Sequence, residues 1–297
     1  MNGILIIDKP TDFTSFDVVA VVRKSLHEKK TGHTGTLDPM ATGVLPILLG
    51  SAAKAQIYLP DTDKEYICSF QFGLATDTLD ITGKILNECP SNITTNQIEE
   101  ILPQFRGDIM QTPPMYSAVS KNGVRLYELA RKGIEVEREP RPVTISKLEL
   151  LDFDESTQSG KLQIACSKGT YIRVICDDIG KTLNNLCTMT ALRRVKACGF
   201  DESEAVPLQK VRELGENGIL PYIKPIESLF THLNEIHITD KQAFRFSNGG
   251  NLALSRLKGI SDSTHGTLYR VYNNHAFIGL GSVNAQLNEL AFEKKFR

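Results

Sequence analysis

No apolar run in this 297-residue chain approaches the ~20 residues that cross a bilayer as a helix. The longest, such as Gly3 to Ile7 and Val44 to Leu49, are strand-sized, so a helical membrane span is excluded. The region after Met1 lacks the basic segment, apolar core and small-residue cleavage site of a secretory signal, and the expected location is the cytoplasm. Cysteines are few and scattered, at 68, 89, 166, 176, 187 and 198, with no C-x-x-C pair. Reduced, mostly buried thiols are therefore expected rather than a zinc site or a redox couple. Of the histidines only His232 and His237 are close neighbours, and their spacing does not place two ligands on one helical face, so no metal is expected. Charge of one sign is also missing: 34 Lys and Arg against 35 Asp and Glu give a net charge of -1. That balance argues against a nucleic-acid coat protein, while leaving room for a local basic groove.

Three glycine signatures are absent. Gly32-x-x-Gly35 is not the dinucleotide spacing, and Gly83-Lys84 lacks the upstream glycine of a phosphate loop. No Gly-x-Ser-x-Gly occurs, so a serine-hydrolase elbow has no candidate.

What is present is the composition of a soluble globular protein, 41% hydrophobic and 23% charged. At roughly 150 residues per domain the length suggests two domains. Gly3 to Ile7 reads as a buried strand, followed by a helix capped at Thr14 or Ser15 with Phe16, Val19, Ala20 and Val22 to Leu26 on its apolar face. A structured glycine-rich loop spans Thr31 to Gly50, with an apolar segment near Val44 to Leu48, and a helix capped at Ser51 should follow. From Lys64 the period becomes two, with Tyr66, Cys68, Phe70 and Phe72 alternating, and turn signals lead to Gly83 to Leu86, which together read as a β-hairpin. Helices are expected over Thr95 to Phe105, Arg125 to Lys132 and Ile172 to Leu183, and strands over Val143 to Asp152 and Lys161 to Ser167. Interleaved strands and helices with antiparallel hairpins indicate an α+β fold. After Pro207 the text is linker-like, and from His232 it becomes a small β-rich unit with strand-like runs at Thr267 to Val271, Ala276 to Val283 and Leu287 to Phe296.

Two basic clusters stand out, one from Lys121 through Arg125, Arg131, Lys132 and Arg138 to Arg141, the other Arg193-Arg194-x-Lys196. Such clusters ordinarily line a solvated face. The most distinctive stretch is Gly32-His33-Thr34-Gly35-Thr36-Leu37-Asp38-Pro39-Met40-Ala41-Thr42-Gly43. Its glycines let backbone approach a ligand, and Asp38 before Pro39 is biased away from the helical region, so the loop can hold one carboxylate at the mouth of a cleft. The same residues also read as a plain turn beside an ordinary loop histidine.

That stretch, continued through Val44-Leu45-Pro46, resembles the catalytic signature of the TruB family, the tRNA pseudouridine-55 synthases. Further similar motifs follow in the family's order: Asp8-Lys9-Pro10 with Thr14-Ser15-x-Asp17-Val18-Val19, Lys64-x-Tyr66, and Gly73-x-x-Thr76-Asp77-Thr78-x-Asp80-x-x-Gly83. Pro113-Pro114-x-Tyr116-Ser117-Ala118, Lys121-x-Gly123-x-Arg125-Leu126-Tyr127, Arg141-Pro142-Val143, Lys168-Gly169-Thr170-Tyr171-Ile172-Arg173 and Leu192-Arg193-Arg194 complete the set, over about the first 200 residues. One departure is Asp12, where the family usually has glycine; if a positive φ is required there, Asp tolerates it better than most residues.

The resemblance implies a catalytic domain over residues 1–231, with a central mixed, mainly antiparallel sheet flanked by helices, and a PUA-like RNA-binding domain over 232–297. It implies isomerisation of the T-loop uridine of tRNA to pseudouridine without cofactor or metal, and a monomer is expected because no interface is visible in the sequence. By resemblance Asp38 is the essential carboxylate, attacking ribose or base or helping to form a glycal. Arg173 is its cationic partner, expected to hold it by a bidentate pair. Tyr66 packs against the target base and handles a proton at C5, Tyr171 and Leu192 line the pocket, His33 braces the stack vacated by the flipped base, and Lys54 contacts phosphate. A tRNA-binding or folding factor of the same fold, without catalysis, is the alternative.

Overall fold

The computed structural model describes residues 1–59, 62–260 and 263–296, with only the backbone at 62 and 63. The last residue of the expected C-terminal unit, 297, lies outside that set. In chain order the first part contains β1 (Gly3–Lys9), α1 (Ser15–Ser25), β2 (Thr31–His33), β3 (Thr42–Leu49), β4 (Thr62–Phe72), β5 (Leu74–Thr76), β6 (Ile85–Glu88), α2 (Thr95–Ile101) and β7 (Gly107–Gln111). The middle contains β8 (Ser120–Lys121), β9 (Val124–Arg125), α3 (Leu126–Arg131), β10 (Arg141–Asp154), β11 (Ser159–Ser167), α4 (Ile172–Thr182), β12 (Cys187–Ala197), β13 (Phe200–Asp201), β14 (Val206–Pro207), α5 (Leu208–Ile219) and β15 (Ile223–Lys224). The last part contains β16 (Glu235–His237), α6 (Asp240–Ser247), β17 (Leu252–Ala253), β18 (Leu268–Asn273), β19 (Ala276–Asn284) and β20 (Glu289–Lys294).

Among the described residues, eleven strands form one mixed sheet whose main path runs β14-β1-β3-β12-β4-β11-β10-β7. Its pairs are antiparallel except β1 with β14 and β12 with β3. The unbroken apolar run of β1 follows from burial on both faces. Leu5 and Ile7 enter the large core with residues of α1, α2, α4 and α5, such as Val18, Ile98, Ile175 and Val211. Ile4 and Ile6 face the opposite side, where they cluster with Phe230, Leu280 and Phe296. That second cluster joins the large sheet to a C-terminal β-rich domain, a five-stranded sheet ordered β16-β18-β19-β20-β17 with its own core of Phe246, Tyr269, Val271 and Leu290.

Several sequence expectations differ from what is found. Ser51 does not cap a helix: residues Gly50–Tyr58 form a 3-10 helix entered from Leu49 without a side-chain cap. The Ser51 hydroxyl instead donates to the Phe296 carbonyl, and its amide donates to Asn2 Oδ1 at 2.8 Å. The period-two run of β4 is no hairpin with residues 83–86; β4 lies between β11 and β12, while β6 pairs with β5 in a separate ribbon. The pairing that wins is long-range, because it buries Cys68 and Phe70 in the large core. The second basic cluster is not a surface patch, since it sits on β12: Arg194 is fully buried and Arg193 pairs with Asp8 and Glu202. The expected linker after Pro207 contains α5, interrupted at Gly215 where φ is 60°.

Candidate active site

Asp38 sits on the connection between β2 and β3, whose antiparallel register sets Thr31 against Leu49 and His33 against Ile47. Three neighbouring groups hold this loop from one side. Ser15 Oγ accepts from the Leu37 amide at 2.8 Å, and the Asp12 amide donates to the Pro39 carbonyl at 2.9 Å. Beneath them the Lys9 ammonium donates to the carbonyls of Pro10, Phe13 and Pro39 at 2.8, 2.6 and 3.1 Å. Lys9 is fully buried, and burial lowers its pKa to about 8, opposed first by the nearby Asp38 charge. Asp12 has φ 62°, so the departure noted in the sequence falls on a residue in the left-handed region.

The loop's far end is fixed by Gly43, whose φ is 102° and whose missing Cβ would lie 2.2 Å from the Arg194 carbonyl oxygen. Only glycine fits where β3 and β12 run this close. From β12, the Arg194 side chain reaches under the loop, donating from Nε to the Val44 carbonyl at 2.7 Å and from Nη2 to the Gly35 carbonyl at 3.2 Å.

Opposite the loop, α4 begins after Tyr171 and presents Arg173, 4% exposed. Its Nη2 lies 3.4 Å from Asp38 Oδ2, and its Nη1 lies 3.6 Å from Asp80 Oδ2. The expected bidentate pair with Asp38 is not found. Arg173 donates its short hydrogen bonds to backbone, Nη1 to the Thr78 carbonyl at 3.1 Å and Nη2 to the Tyr116 carbonyl at 2.6 Å. The guanidinium is thereby fixed between two carboxylates, one buried and one open: the Asp80 side chain is 5% exposed and that of Asp38 37%. Asp80 is held by the Thr82 amide at 3.0 Å and by the hydroxyls of Thr78 and Thr82 at 2.9 and 2.5 Å. An ionised, solvent-reachable carboxylate beside a buried cation can act as a nucleophile or a base.

Residues 23–172 match the TruB family pseudouridylate synthase (N terminal domain), and residues 173–231 match the tRNA pseudouridylate synthase B C-terminal domain. A curated tRNA pseudouridine synthase B of Clostridium perfringens is 44% identical over 283 residues, 95% of each chain. The chain belongs to the TruB family of pseudouridylate synthases. Another relative, the tRNA pseudouridine synthase B of Stutzerimonas stutzeri, is 41% identical over 288 residues, 96% of this chain and 92% of its own length. A chain from the crystal structure of a Cbf5-Nop10-Gar1 complex superposes with a TM-score of 0.76 at 24% identity, covering 99% of this chain and 85% of that one, which shows a shared fold.

The other residues that the family motifs single out lie around this centre to different degrees. Tyr66 on β4 is buried in the large core opposite Arg194 in register; burial pushes its phenol up, and the Arg194 guanidinium pulls it back. Tyr171 lies with its ring 5.9 Å below the Arg173 guanidinium. Its backbone is clamped by Gln111, which accepts from its amide at 2.8 Å and donates to its carbonyl at 3.2 Å. Leu192 lies in the core with Tyr66 and lines a groove of about 420 Å³ with Asp12, Met40, Ile81 and Thr82. His33 is half-buried, with its Nδ1 shut off from solvent, and burial followed by the Arg194 charge lowers its pKa against the opposing pull of the Gly35 backbone. Lys54 is exposed on the 3-10 helix, and among the described residues no hydrogen bond or ion pair ties it to Asp38 or Arg173.

The first basic cluster is only partly a free surface. Lys121 donates to the Glu137 carbonyl at 2.5 Å, Arg125 to the Ala118 carbonyl at 2.6 Å, and Arg138 pairs with Glu135 at 3.0 Å, so these cations also knit residues 112–141 together. Sequence reasoning assigned no role to Asp80, Thr78, Gln111, Lys9 or Arg194. Asp80 was visible as the second acid of the Thr76-Asp77-Thr78-x-Asp80 motif, which also contains Thr78; Gln111, Lys9 and Arg194 act through backbone carbonyls and amides, which leave no mark in side-chain spacing.

Proposed function

We propose that this chain isomerises the T-loop uridine at position 55 of tRNA to pseudouridine, with Asp38 as the essential carboxylate. The observation that carries the reading is the Asp38–Arg173–Asp80 arrangement: one open carboxylate and one buried one share a guanidinium fixed by two backbone carbonyls. The buried Asp80 makes the cation's position independent of the substrate, and Asp38 remains free to meet the nucleotide. The names of the relatives, tRNA pseudouridine synthase B, supply the substrate class.

The reaction breaks the bond from ribose C1′ to uracil N1, turns the base and rejoins C1′ to C5, with the C5 proton lost and N1 regaining one. Its atoms and electrons balance within the nucleoside, so no cofactor is required. Asp38 acts on ribose C1′, on uracil C6, or as the base on the way to a glycal, and each route starts from the ionised carboxylate. Burial raises the Tyr66 pKa further above its ordinary value near 10, and the residue packs against the base as a neutral ring. Tyr171 and Leu192 complete the walls. Everting a base from the folded T-arm costs a few kcal/mol. His33, neutral at pH 7 because its pKa is lowered, fills the stack left behind.

We assign residues 1–231 to the catalytic domain and 232–297 to a PUA-like domain that contacts the same RNA, with Lys54 and the cations of residues 121–141 on phosphates, and take the chain to act as a monomer in the cytoplasm. The test is incubation of the purified full chain with an unmodified tRNA transcript and a chelator, followed by mapping of pseudouridine. Conversion confined to the T-loop uridine is expected. Tight tRNA binding with no pseudouridine supports the binding-factor alternative, and conversion elsewhere overturns the site assignment.

A further inference from the structure

Phe16 is the second residue of α1, 74% exposed, on a helix whose buried residues are Ser15, Val18, Val19 and Val22. The sequence pattern placed it in the apolar face; the structure leaves it in solvent. A side chain of this size left in water contributes little to folding, and about 1.5–3 kcal/mol of burial is forgone. Yet its place is tightly fixed. The Thr14–Asp17 capping box sets the first turn of α1, and the adjoining Ser15 hydroxyl is bonded to both the amide and the carbonyl of Leu37, next to Asp38. The exposed ring therefore stands within two residues of the backbone contact that positions the candidate catalytic aspartate. It lies 5.4 Å from the ring of His33 at an interplanar angle of 81°, an edge-to-face pair.

We propose that Phe16, backed by His33, is the stacking platform for the RNA base next to the everted uridine. The inference rests on the tRNA-pseudouridylation reading above. When the target nucleotide leaves the helical stack, its neighbours each lose one face to water, and a rigid aromatic ring is the group that restores it without reading sequence. One aromatic side chain is far smaller than the ~800 Å² per partner of a stable protein interface, so a single flat base is the occupant its size suits. The adjacent acid, Asp17, is drawn back into the cap by the Thr14 amide and hydroxyl at 2.8 and 2.6 Å. Phe16 acts on binding and eversion and takes no part in the chemistry at C1′.

The test uses the full chain with two T-arm hairpin RNAs carrying 2-aminopurine on the 5′ or the 3′ side of the target uridine, together with steady-state kinetics on tRNA. One base–aromatic stack corresponds to roughly a 5- to 100-fold effect on KM. Phe16→Ala is expected to raise KM within that range with kcat nearly unchanged, and to remove the quenching of one of the two probes. Phe16→Trp should retain both. Phe16→Leu, which keeps apolar bulk but no flat face, should behave as the alanine variant does. Thermal unfolding of all three should match the wild type, since the position is exposed. Wild-type KM and quenching in the alanine variant, or full function in the leucine variant, overturns the proposal. A wild-type chain that binds the hairpins without forming pseudouridine defeats the catalytic reading alone, and the quenching then decides Phe16; failure to bind either hairpin overturns both.

Discussion

Two buried arginines lie beside the Asp38 loop, and their surroundings differ. Arg173 has carboxylates near both terminal nitrogens, Asp38 at 3.4 Å and Asp80 at 3.6 Å. Arg194 is just as buried but is held by the carbonyls of Val44 and Gly35, and among the described residues no carboxylate is among its hydrogen-bond partners. Carbonyl oxygens satisfy a guanidinium without bringing a counter-charge that could react. The first region sets a cation between two carboxylates, one of them the proposed reacting group; the second uses a cation as a strut under a loop that has little apolar side chain of its own. Under the proposed function, similar burial serves chemistry in one place and shape in the other.

The comparison breaks most visibly under substitution of the two arginines. Arg173→Lys should lower kcat by roughly 100-fold or more, because a point charge cannot occupy both carboxylates while also serving the Thr78 and Tyr116 carbonyls. Steady-state kinetics on tRNA measure this, and a wild-type kcat would place Arg173 with the struts. Arg194→Met should instead unfold more easily, by about 3 kcal/mol in urea titration, since it strands buried carbonyls. Unchanged stability with lost turnover would move Arg194 to the chemical side. Gly43→Ala tests the same strut from the other strand. With φ 102° and the Arg194 carbonyl 2.2 Å from the added carbon, a loss of about 2–4 kcal/mol is expected in the same titration, and a neutral result would show that the strands can part.

Lys9 sharpens the picture through pH. Its pKa falls from 10.5 in the free side chain to about 8 in the fold, so between these values the unfolded chain binds more protons than the folded one. Wild-type stability should rise relative to Lys9→Met from about pH 8 to about 10.5, by about 1–3 kcal/mol, and the difference should be flat below pH 8. A difference constant across the whole range would mean that the three carbonyls hold the ammonium charged throughout. The smallest effect is expected at the RNA surface: Lys54→Ala should weaken tRNA binding a few-fold and reduce the salt slope by about one. An unaltered slope removes Lys54 from that surface.

Much of the large fold was legible because its signals are local. The Thr14 cap, the β-branched run of β1 and the alternation of Tyr66, Cys68, Phe70 and Phe72 each sit within a few residues. Pairing was not legible: nothing near Tyr66 says that β12 and β11 flank it, and β12 itself read as a charge cluster because Arg193 and Arg194 find partners 185 and 150 residues away in Asp8 and Val44. The candidate site divides in the same way. Asp38 and Arg173 announce themselves by motif, whereas Asp80 becomes their third member only when α4 brings Arg173 between them, and Lys9, Ser15 and Gln111 work through backbone atoms that carry no sequence label.

The central claim is that Asp38 performs the chemistry while the rest of the loop only holds it in place. Its most direct test is single-turnover conversion of saturating tRNA by Asp38→Asn, with tRNA affinity measured on the same preparation. The account predicts affinity within a few-fold of wild type and no pseudouridine on a timescale at least about a thousandfold longer, since the amide keeps the shape and removes the charge. Pseudouridine formed at the wild-type rate by a sequence-verified Asp38→Asn protein would contradict it.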